Sequence, residues 1–435
     1  MGWSLGYHIE RGWTPLARDF QWPRVTEHHR LLERFIAQIP PTAAVSTTPP
    51  LHPHLAHREK IYLYPTVADA EYVLLDIAGR TDAHPNDVHK VFRQLVDSGQ
   101  FGIVDAADGY ILLARRDTDV QGSQILPDAF YDFMRAGDGQ PQFPLWVEFA
   151  PPGSDQVGLR LMGYDLVDDP VWQQTGMRLY WRVLAPLPTG TRLWPFFYDD
   201  AGGIIEDTMQ RPMVATIWYP PARWKPGETI TTETLPWQLG SLFHIGVAVL
   251  DGEDFRDETH RFRVYNADPA AILHHGHTWA HVGSFRRDGR YLVYVSEQAP
   301  VHHLEVRFAN GIHLVGYRYQ VRLNMLIVML VWRADAGIKE DYTVFVHLVT
   351  SSGQRIAQSD AQPHWGATWP TSRWQPGEWV LDGHRLEMPA KAPRDGLHLE
   401  VGLYLWPSLQ RLSVLGANGR PNSDHIKIPL SLPAP

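Results

Sequence analysis

The chain has 435 residues, a formal net charge of −9, 20% charged residues and no cysteine. That length carries a prior of about three domains of roughly 150 residues each, and an acidic balance without a Lys/Arg cluster excludes a nucleic-acid footprint. Without cysteine there are no disulfides, thiolate zinc sites or cysteine nucleophiles. Glycine and proline, 35 of each, give a turn-rich globular composition. No run approaches the ~20 apolar residues of a membrane helix, and no signal-peptide pattern is visible.

Residues 1–24 mix Trp3, Trp13 and Trp22 with Pro15 and Pro23 without a period and read as an irregular lead-in. Residues 25–117 predict a small α/β domain with a mixed sheet. Leu31, Leu32, Phe35 and Ile36 recur at helical spacing, with Thr26 as N-cap and Pro40-Pro41 as the stop. The short apolar runs Ala43–Ser46, Ile61–Tyr64 and Tyr72–Asp76 read as buried strands. A second helix starts at Pro85, carries Val88, Val91, Phe92, Leu95 and Val96 on one face and stops at Gly99. Phe101–Asp105 and Tyr110–Ala114 read as a hairpin. His54, His57 and Arg58 admit two readings: a ligand site on one face of a short helix, or polar capping and packing between two strands. Asp76 ends a strand where α/β sheets place ligand groups, but the single glycine in Ile77-Ala-Gly-Arg80 is no nucleotide fingerprint.

Five pieces of this segment carry a resemblance: Ile39-Pro-Pro-Thr-Ala-Ala-Val-Ser46, Leu51-His-Pro-His-Leu-Ala-His-Arg58, Ile61-Tyr-Leu-Tyr-Pro65, Tyr72–Asp76 and Gly109-Tyr-Ile-Leu-Leu113. Together they resemble the segment that follows the membrane helices in a family of predicted polytopic bacterial membrane proteins, itself similar to the GT-C glycosyltransferases, which use lipid-phosphate-linked sugars. The resemblance covers roughly residues 7–115. It implies an extracytoplasmic position beside a membrane domain. It transfers no catalytic residue, because the acidic residues of GT-C enzymes lie in loops of a membrane bundle that this chain does not contain.

Residues 118–144 are polar and broken and read as a linker, with one short helix at Pro127–Arg135. Beyond them the chain repeats itself. Trp218-Tyr-Pro-Pro-Ala-Arg-Trp-Lys-Pro-Gly-Glu228 is echoed by Trp369-Pro-Thr-Ser-Arg-Trp-Gln-Pro-Gly-Glu378, with Trp369 set against Trp218 and Trp374 against Trp224. Gly163-Tyr164, Trp181-Arg182, Gly202 and Ile245-Gly246 are echoed by Gly316-Tyr317, Trp332-Arg333, Gly353 and Val401-Gly402. The offset stays near 150 residues, so residues 145–298 and 299–435 read as tandem copies, each an antiparallel β-sandwich of the jelly-roll or immunoglobulin-like kind. The first copy has Arg261–Val264 and Tyr291–Val295 as extra strands. The second resembles sandwich modules appended to bacterial membrane glycosyltransferase-like proteins, in Tyr342–Val349, Gln358-Ser-Asp360, Pro370-Thr371 and Trp374–Glu378. Where it has Phe345-Val-His-Leu348 the first copy has Pro195-Phe-Phe-Tyr198, which confines any role of His347 or Asp360 to copy two.

Seventeen tryptophans are the most unusual feature. Aromatic platforms on sandwiches stack on sugar rings, whereas Trp181, Trp332, Trp224 and Trp374 recur in both copies as folding residues do. Trp365, Trp369 and Trp379, in a loop-rich stretch with His364 and Arg373, are therefore the candidate sugar contacts, and replacing Trp365 and Trp369 is expected to weaken glycan binding without unfolding. The run His274–His281 holds four imidazoles, but histidine is common throughout, at 22, and neither metal nor cofactor is assigned. No nucleophile elbow, phosphate loop or zincin motif occurs, and Asp168-Asp169 and Asp199-Asp200 sit in turn-like connections. The sequence thus reads as a non-enzymatic, extracytoplasmic accessory region of a membrane glycosyltransferase-like protein. Its expected partners are a glycan, a lipid-linked sugar, the membrane domain of the parent protein or another copy of itself. The alternative is a cell-surface assembly protein whose sandwiches contact one another; a glycan hydrolase would need two facing carboxylates in one cleft.

Overall fold

The computed structural model describes residues 25–432 except 80–82, 117, 119–121, 136–138, 170–171, 268–271, 275–277, 290, 296–301, 323, 366, 378, 390–391 and 394, with backbone only at 272–274, 303, 322, 367 and 379. The expected lead-in, residues 1–24, lies outside the described residues. Two compact units divide the chain, Met1–Met134 and Arg135–Pro435.

In the first unit, Thr26 caps helix α1 (Glu27–Ile36) by accepting the His29 backbone N–H, and the His29 ring reaches back to the Thr26 N–H. Strands β1 (Val45–Thr47), β2 (Ile61–Leu63) and β3 (Tyr72–Asp76) pair in parallel, with the four-residue helix α2 (His52–Leu55) in the first crossover. Helix α3 (Pro85–Asp97) follows and buries Val88, Phe92, Leu95 and Val96. The hairpin β4 (Phe101–Ala107) and β5 (Tyr110–Arg115) closes a mixed sheet of order β2-β1-β3-β5-β4. Strand β4 runs two residues further than the apolar run suggests, so the turn is Asp108-Gly109, both at positive φ (47° and 82°), the two-residue geometry that twisted strands favour. Leu32 and Phe35 pack on Val45, Leu74 and Leu112, while the alternate residues Val73, Leu75, Ile111 and Leu113 are buried too. Both faces of the sheet are thus covered, as parallel strands require.

The second unit is built of antiparallel strands. The first eleven are β6 (Phe143–Ala150), β7 (Leu159–Asp169), β8 (Gln174–Val183), β9 (Thr191–Tyr198), β10 (Ile204–Asp207), β11 (Thr229–Glu233), β12 (Leu242–Asp251), β13 (Arg263–Ala267), β14 (Ile272–His274), β15 (Trp279–Asp288) and β16 (Tyr291–Tyr294). They form one sheet of order β11-β8-β7-β6-β13 and another of order β10-β9-β12-β15-β14, with β16 also on β15. Next come β17 (His302–Phe308), β18 (Ile312–Arg322), β19 (Met325–Ala334), β20 (Tyr342–Val349), β21 (Arg355–Ala361), the short ribbon β22 (His364–Trp365) and β23 (Ala367–Thr368), and β24 (Trp379–Glu387). The chain closes with β25 (His398–Leu405), β26 (Gln410–Arg411), β27 (Val414–Leu415), β28 (Pro421–Ser423) and β29 (Ile426–Pro429).

The later strands form sheets of order β24-β19-β18-β17-β27-β28 and β21-β20-β25-β26, with β29 on β25. Strand for strand, β24-β19-β18-β17-β27 retraces β11-β8-β7-β6-β13, and β21-β20-β25-β29 retraces β10-β9-β12-β15. Strand β13 therefore holds the place of β27 beside the first strand of its sheet, and it is not the extra strand that the sequence suggests. The correspondence reaches single residues. A register shift at Leu161/Gly163 is repeated at Leu314/Gly316. Gly246 lies where a Cβ would stand 2.2 Å from the Phe196 ring, and Gly402 where it would stand 2.6 Å from the Phe345 ring.

The later sheets face each other across one core, in which Trp332, Trp369, Trp374, Leu330 and Val380 meet Val344, Val346, Leu399, Val401 and Ile428. A second apolar cluster joins the earlier sheets to the later ones: Trp194, Phe196, Tyr198, Leu250 and Trp279 pack with Val315, Met329, Val331 and Trp365. Each such fully buried large side chain contributes roughly 1.5–3 kcal/mol. Gly383 lets the strands come together here, because a Cβ there would stand 2.0 Å from the Ala201 carbonyl oxygen.

Candidate functional site

The repeated Trp-Pro-Gly-Glu stretch folds alike in both copies. Three-residue 3₁₀ turns, Pro221–Arg223 and Thr371–Arg373, carry Trp224 and Trp374 inward. The Trp224 Nε1–H donates to the Tyr219 carbonyl (2.8 Å) and the Trp374 Nε1–H to the Trp369 carbonyl (3.1 Å). Trp369 is thus the counterpart of Tyr219, one position from the Trp218 that sequence matching selects. With Trp369 on Tyr219, the two stretches run to Trp224 and Trp374 without a gap, and the hydrogen bond sets the register.

That geometry decides the expected tryptophan platform. Trp365 is 3% and Trp369 5% exposed, so neither ring offers an open face: Trp365 packs against Tyr198 and His244 and Trp369 lies in the core. The Trp379 side chain lies outside the described residues. His364 starts β22 and donates its backbone N–H to Asp382 Oδ1 (3.1 Å). Arg373 is exposed and opposes, with Arg261, the burial that pushes the Glu258 carboxyl up to about 7. In the first unit His54 and His57 are exposed while Arg58 is buried, so the three do not share a face. Arg58 donates to the carbonyls of Pro40, Ala43 and Ile39, a packing clip.

Where the copies differ, buried polar chemistry appears. Trp181 Nε1–H donates to Thr232 Oγ1 (3.1 Å), whereas its counterpart Trp332 donates to Asp382 Oδ2 (3.0 Å). Two residues on, Thr234 is replaced by His384, whose Nε2 lies 3.0 Å from Asp382 and whose Nδ1 lies 3.0 Å from Ser359 Oγ. Asp382 is fully buried; burial raises its carboxyl, but His384, His364 and the Trp332 hydrogen bond outweigh that and hold it below the usual carboxylate range. A second row joins Asp200, His244, Ser284, His281 and Tyr198, with His244 3.1 Å from Asp200 and 2.8 Å from Ser284. Gln320 of the later copy donates to the other Asp200 oxygen (2.6 Å).

Both rows have a Ser–His–Asp order, yet neither is laid out for attack on a substrate. Ser284 is 1% exposed, and Ser359 is paired in mid-strand with Val346, without the sharp turn that lifts a nucleophile clear of its sheet. Their chemistry is to fix orientation, since buried donors and acceptors must find each other. Asp199 serves its own turn through the N–H groups of Ala201 and Gly203 and pairs with Arg385, and Asp168 pairs with the buried Arg287 (2.5 Å). The imidazoles of His275 and His277 lie outside the described residues, and both His281 ring nitrogens are engaged by Tyr198 and Ser284. Among the described residues no group of three or more His, Asp or Glu is placed to hold a metal ion.

The open arrangement lies at another corner of the first copy. A small cleft is lined by Phe197, Glu206, Asp207, Thr208, Arg211 and Thr234. The Arg211 guanidinium leaves the cleft to lie over Trp237, 4.4 Å from the ring centroid, while Nη1 lies 3.4 Å from Glu206 and Nη2 donates to the Pro236 carbonyl (3.3 Å). Trp237 is 41% exposed, so part of it stays open beside the guanidinium, and its backbone pairs with Thr175 at the tip of the β7–β8 hairpin. That tip carries Trp172, 64% exposed, whose carbonyl accepts from Gln238 (3.4 Å). Burial raises the Glu206 carboxyl, against the pull of Arg211. Two open indoles, a fork of N–H donors and a carboxylate here share one corner. The signal available in the sequence is that Trp172 and Trp237 have no echo in the second copy.

In the first unit His28 sits between two carboxylates. His28 Nδ1 lies 2.8 Å from Asp108 and Nε2 3.3 Å from Asp76, and the ring stacks on Tyr110 at 4.3 Å. Burial lowers the imidazole, but the hydrogen bonds and charges of both carboxylates prevail and raise it to about 9. Asp76 also receives the Gly79 N–H (2.8 Å), and its own N–H donates to Thr48 (3.1 Å), which ties the strand end to the loops around it.

Residues 6–112 match a family described as "Predicted membrane protein (DUF2079)". No helix among the described residues is long and apolar enough to cross a membrane. No curated protein matches. Among solved structures, the chain is similar to a glycosyl hydrolase family 2 member from Bacteroides cellulosilyticus (10% identity, TM-score 0.17, covering 59% of this chain and 28% of that one). A calcium-binding mutant of Bacteroides uniformis beta-glucuronidase 2 gives 10% identity and a TM-score of 0.17, over 55% and 26%. An endonuclease/exonuclease/phosphatase from Beutenbergia cavernae gives 10% and 0.14, over 80% and 91%. The chain spans about a quarter of the two glycoside-active structures, and likeness at these scores carries no argument.

Proposed function

We propose that the chain is a non-catalytic, extracytoplasmic accessory region of a membrane glycosyltransferase-like protein and that it binds glycan, free or lipid-linked, at the Trp172/Trp237 corner. The two pairs of sheets are tandem β-sandwich copies, and the first has acquired the binding corner. The observation that carries this reading is the half-open Trp237 ring, with Arg211 on one face and Glu206 beside it. A pyranose offers an apolar C–H face to an indole and a rim of hydroxyls to a carboxylate and an arginine. The matched family of predicted membrane proteins at residues 6–112 supports the setting beside a membrane domain and, through the similarity of that family to GT-C enzymes, a sugar as ligand.

A glycan array probed with the whole chain tests the reading. Binding to a defined glycan set that Trp237→Ala abolishes, with Trp406→Ala as a retained control, is the expected result; no binding by the native chain, or binding untouched by Trp237→Ala, removes it. The assembly alternative keeps one observation in its favour, the exposed Tyr291, Val293 and Tyr294 on the edge strand β16, and predicts a concentration-dependent oligomer.

A further inference from the structure

A different surface carries an inference that does not depend on glycan binding. Strands β25 and β26 are joined by Trp406-Pro-Ser-Leu409, a four-residue tip held from within: the Leu409 N–H donates to the Leu405 carbonyl (2.8 Å), as does the Ser408 hydroxyl (3.3 Å). Trp406 is 72% and Leu409 59% exposed. Leu409 stands at φ +58°, a left-handed conformation that glycine or asparagine adopts readily and that costs a bulky residue roughly 1 kcal/mol or more. Folding therefore selects against leucine at this place, and so does solubility. Its presence in an ordered turn beside an exposed tryptophan points to an apolar phase outside the chain.

The size of the tip chooses the occupant. Two side chains offer at most a few hundred Å², well short of the ~800 Å² per partner that a stable protein interface or a second copy of the chain requires. A lipid surface needs no such area, since a few large side chains entering the boundary between headgroups and acyl chains are enough to hold a domain reversibly, and tryptophan is the residue that prefers that layer. Residues 405–410 carry no charge, so insertion desolvates none. At the base of the hairpin Arg411 pairs with Asp424 (3.1 Å), and on the neighbouring strand the exposed Lys339, Glu340 and Asp341 precede the Tyr342 that pairs with Leu405. We propose that the β25–β26 tip is a membrane-interface anchor that inserts Trp406 and Leu409 into a bilayer surface.

Flotation of the whole chain with phosphatidylcholine vesicles tests this. The native chain is expected to float with the vesicles at low and high salt, and Trp406→Ser/Leu409→Asn to lose roughly tenfold or more of that binding, the loss expected on withdrawing two large apolar side chains. Leu409→Gly is expected to melt no lower than the native chain and to bind less. The proposal is overturned if the native chain does not float, or if the double variant floats equally. Binding only to anionic vesicles with loss at high salt overturns it as well, as does a fall in melting temperature for Leu409→Gly, which makes leucine part of the fold. If the double variant changes the sedimentation mass of the chain without vesicles, the tip is a protein contact and the proposal fails.

Discussion

The two pairs of sheets in the second unit share a skeleton and differ in chemistry. Trp181 and Trp332 are both fully buried, and Trp224 and Trp374 both donate to the carbonyl five residues back. Gly246 and Gly402 both make room for an aromatic ring on the neighbouring strand. Around that skeleton, neutral Thr232 and Thr234 on one side stand against the buried Asp382–His384 pair on the other, and the open Trp237 corner has no counterpart. The side chains that hold the skeleton are alike in both pairs of sheets, whereas the polar groups at its margins differ.

Cutting the shared skeleton gives the largest effects. Trp181→Ala and Trp332→Ala are each expected to cost about 3–5 kcal/mol in denaturant unfolding; a cost in only one copy breaks the equivalence. Next comes the divergence itself. Asp382→Ala strands a buried histidine and two donors, and is expected to cost about 3–5 kcal/mol, whereas Thr232→Val is expected to cost about 1–2 kcal/mol. The double replacement Asp382→Thr/His384→Thr, which writes the first copy's chemistry into the second, is expected to cost less than Asp382→Ala alone. A larger cost shows that the pair holds more than its own pocket.

Gly246→Ala and Gly402→Ala follow, at about 1–3 kcal/mol each, with Gly246→Ala the worse because its Cβ would come closer to the ring. The smallest effect lies in the first unit. The His28 imidazole is raised from 6.5 to about 9 in the fold, so its bond to Asp108 and Asp76 stabilises fully below pH 6.5 and is lost as pH rises through about 9. The change is on the order of 1 kcal/mol after solvent screening, and a pH series of melting temperatures should lose that slope in His28→Gln.

Much of the scaffold was legible in the sequence because local signals and packing agree. Thr26, Pro85 and Gly99 mark helix ends, and alternating apolar runs mark strands. The repeat separated the folding tryptophans, Trp224 and Trp374, from the rest. What stayed hidden is set by partners far away in the chain. Trp365 and Trp369 lie in a polar, loop-rich stretch, yet Tyr198 and His244 of the other copy cover Trp365 and the sheet core covers Trp369. Arg58 looks like a neighbour of His54 and His57, but only its own side chain turns inward to three carbonyls. Arg211 and Trp237 meet because β11 and the hairpin tip at Thr175 bring distant turns together, and no spacing rule foretells that.

Hydrogen–deuterium exchange of the whole chain, with and without a glycan that it binds, tests the functional account most directly. Protection confined to residues 172–175, 204–211 and 234–238, and absent in Trp237→Ala, is the predicted result. Protection at residues 364–373, or no protection in the first copy, contradicts it.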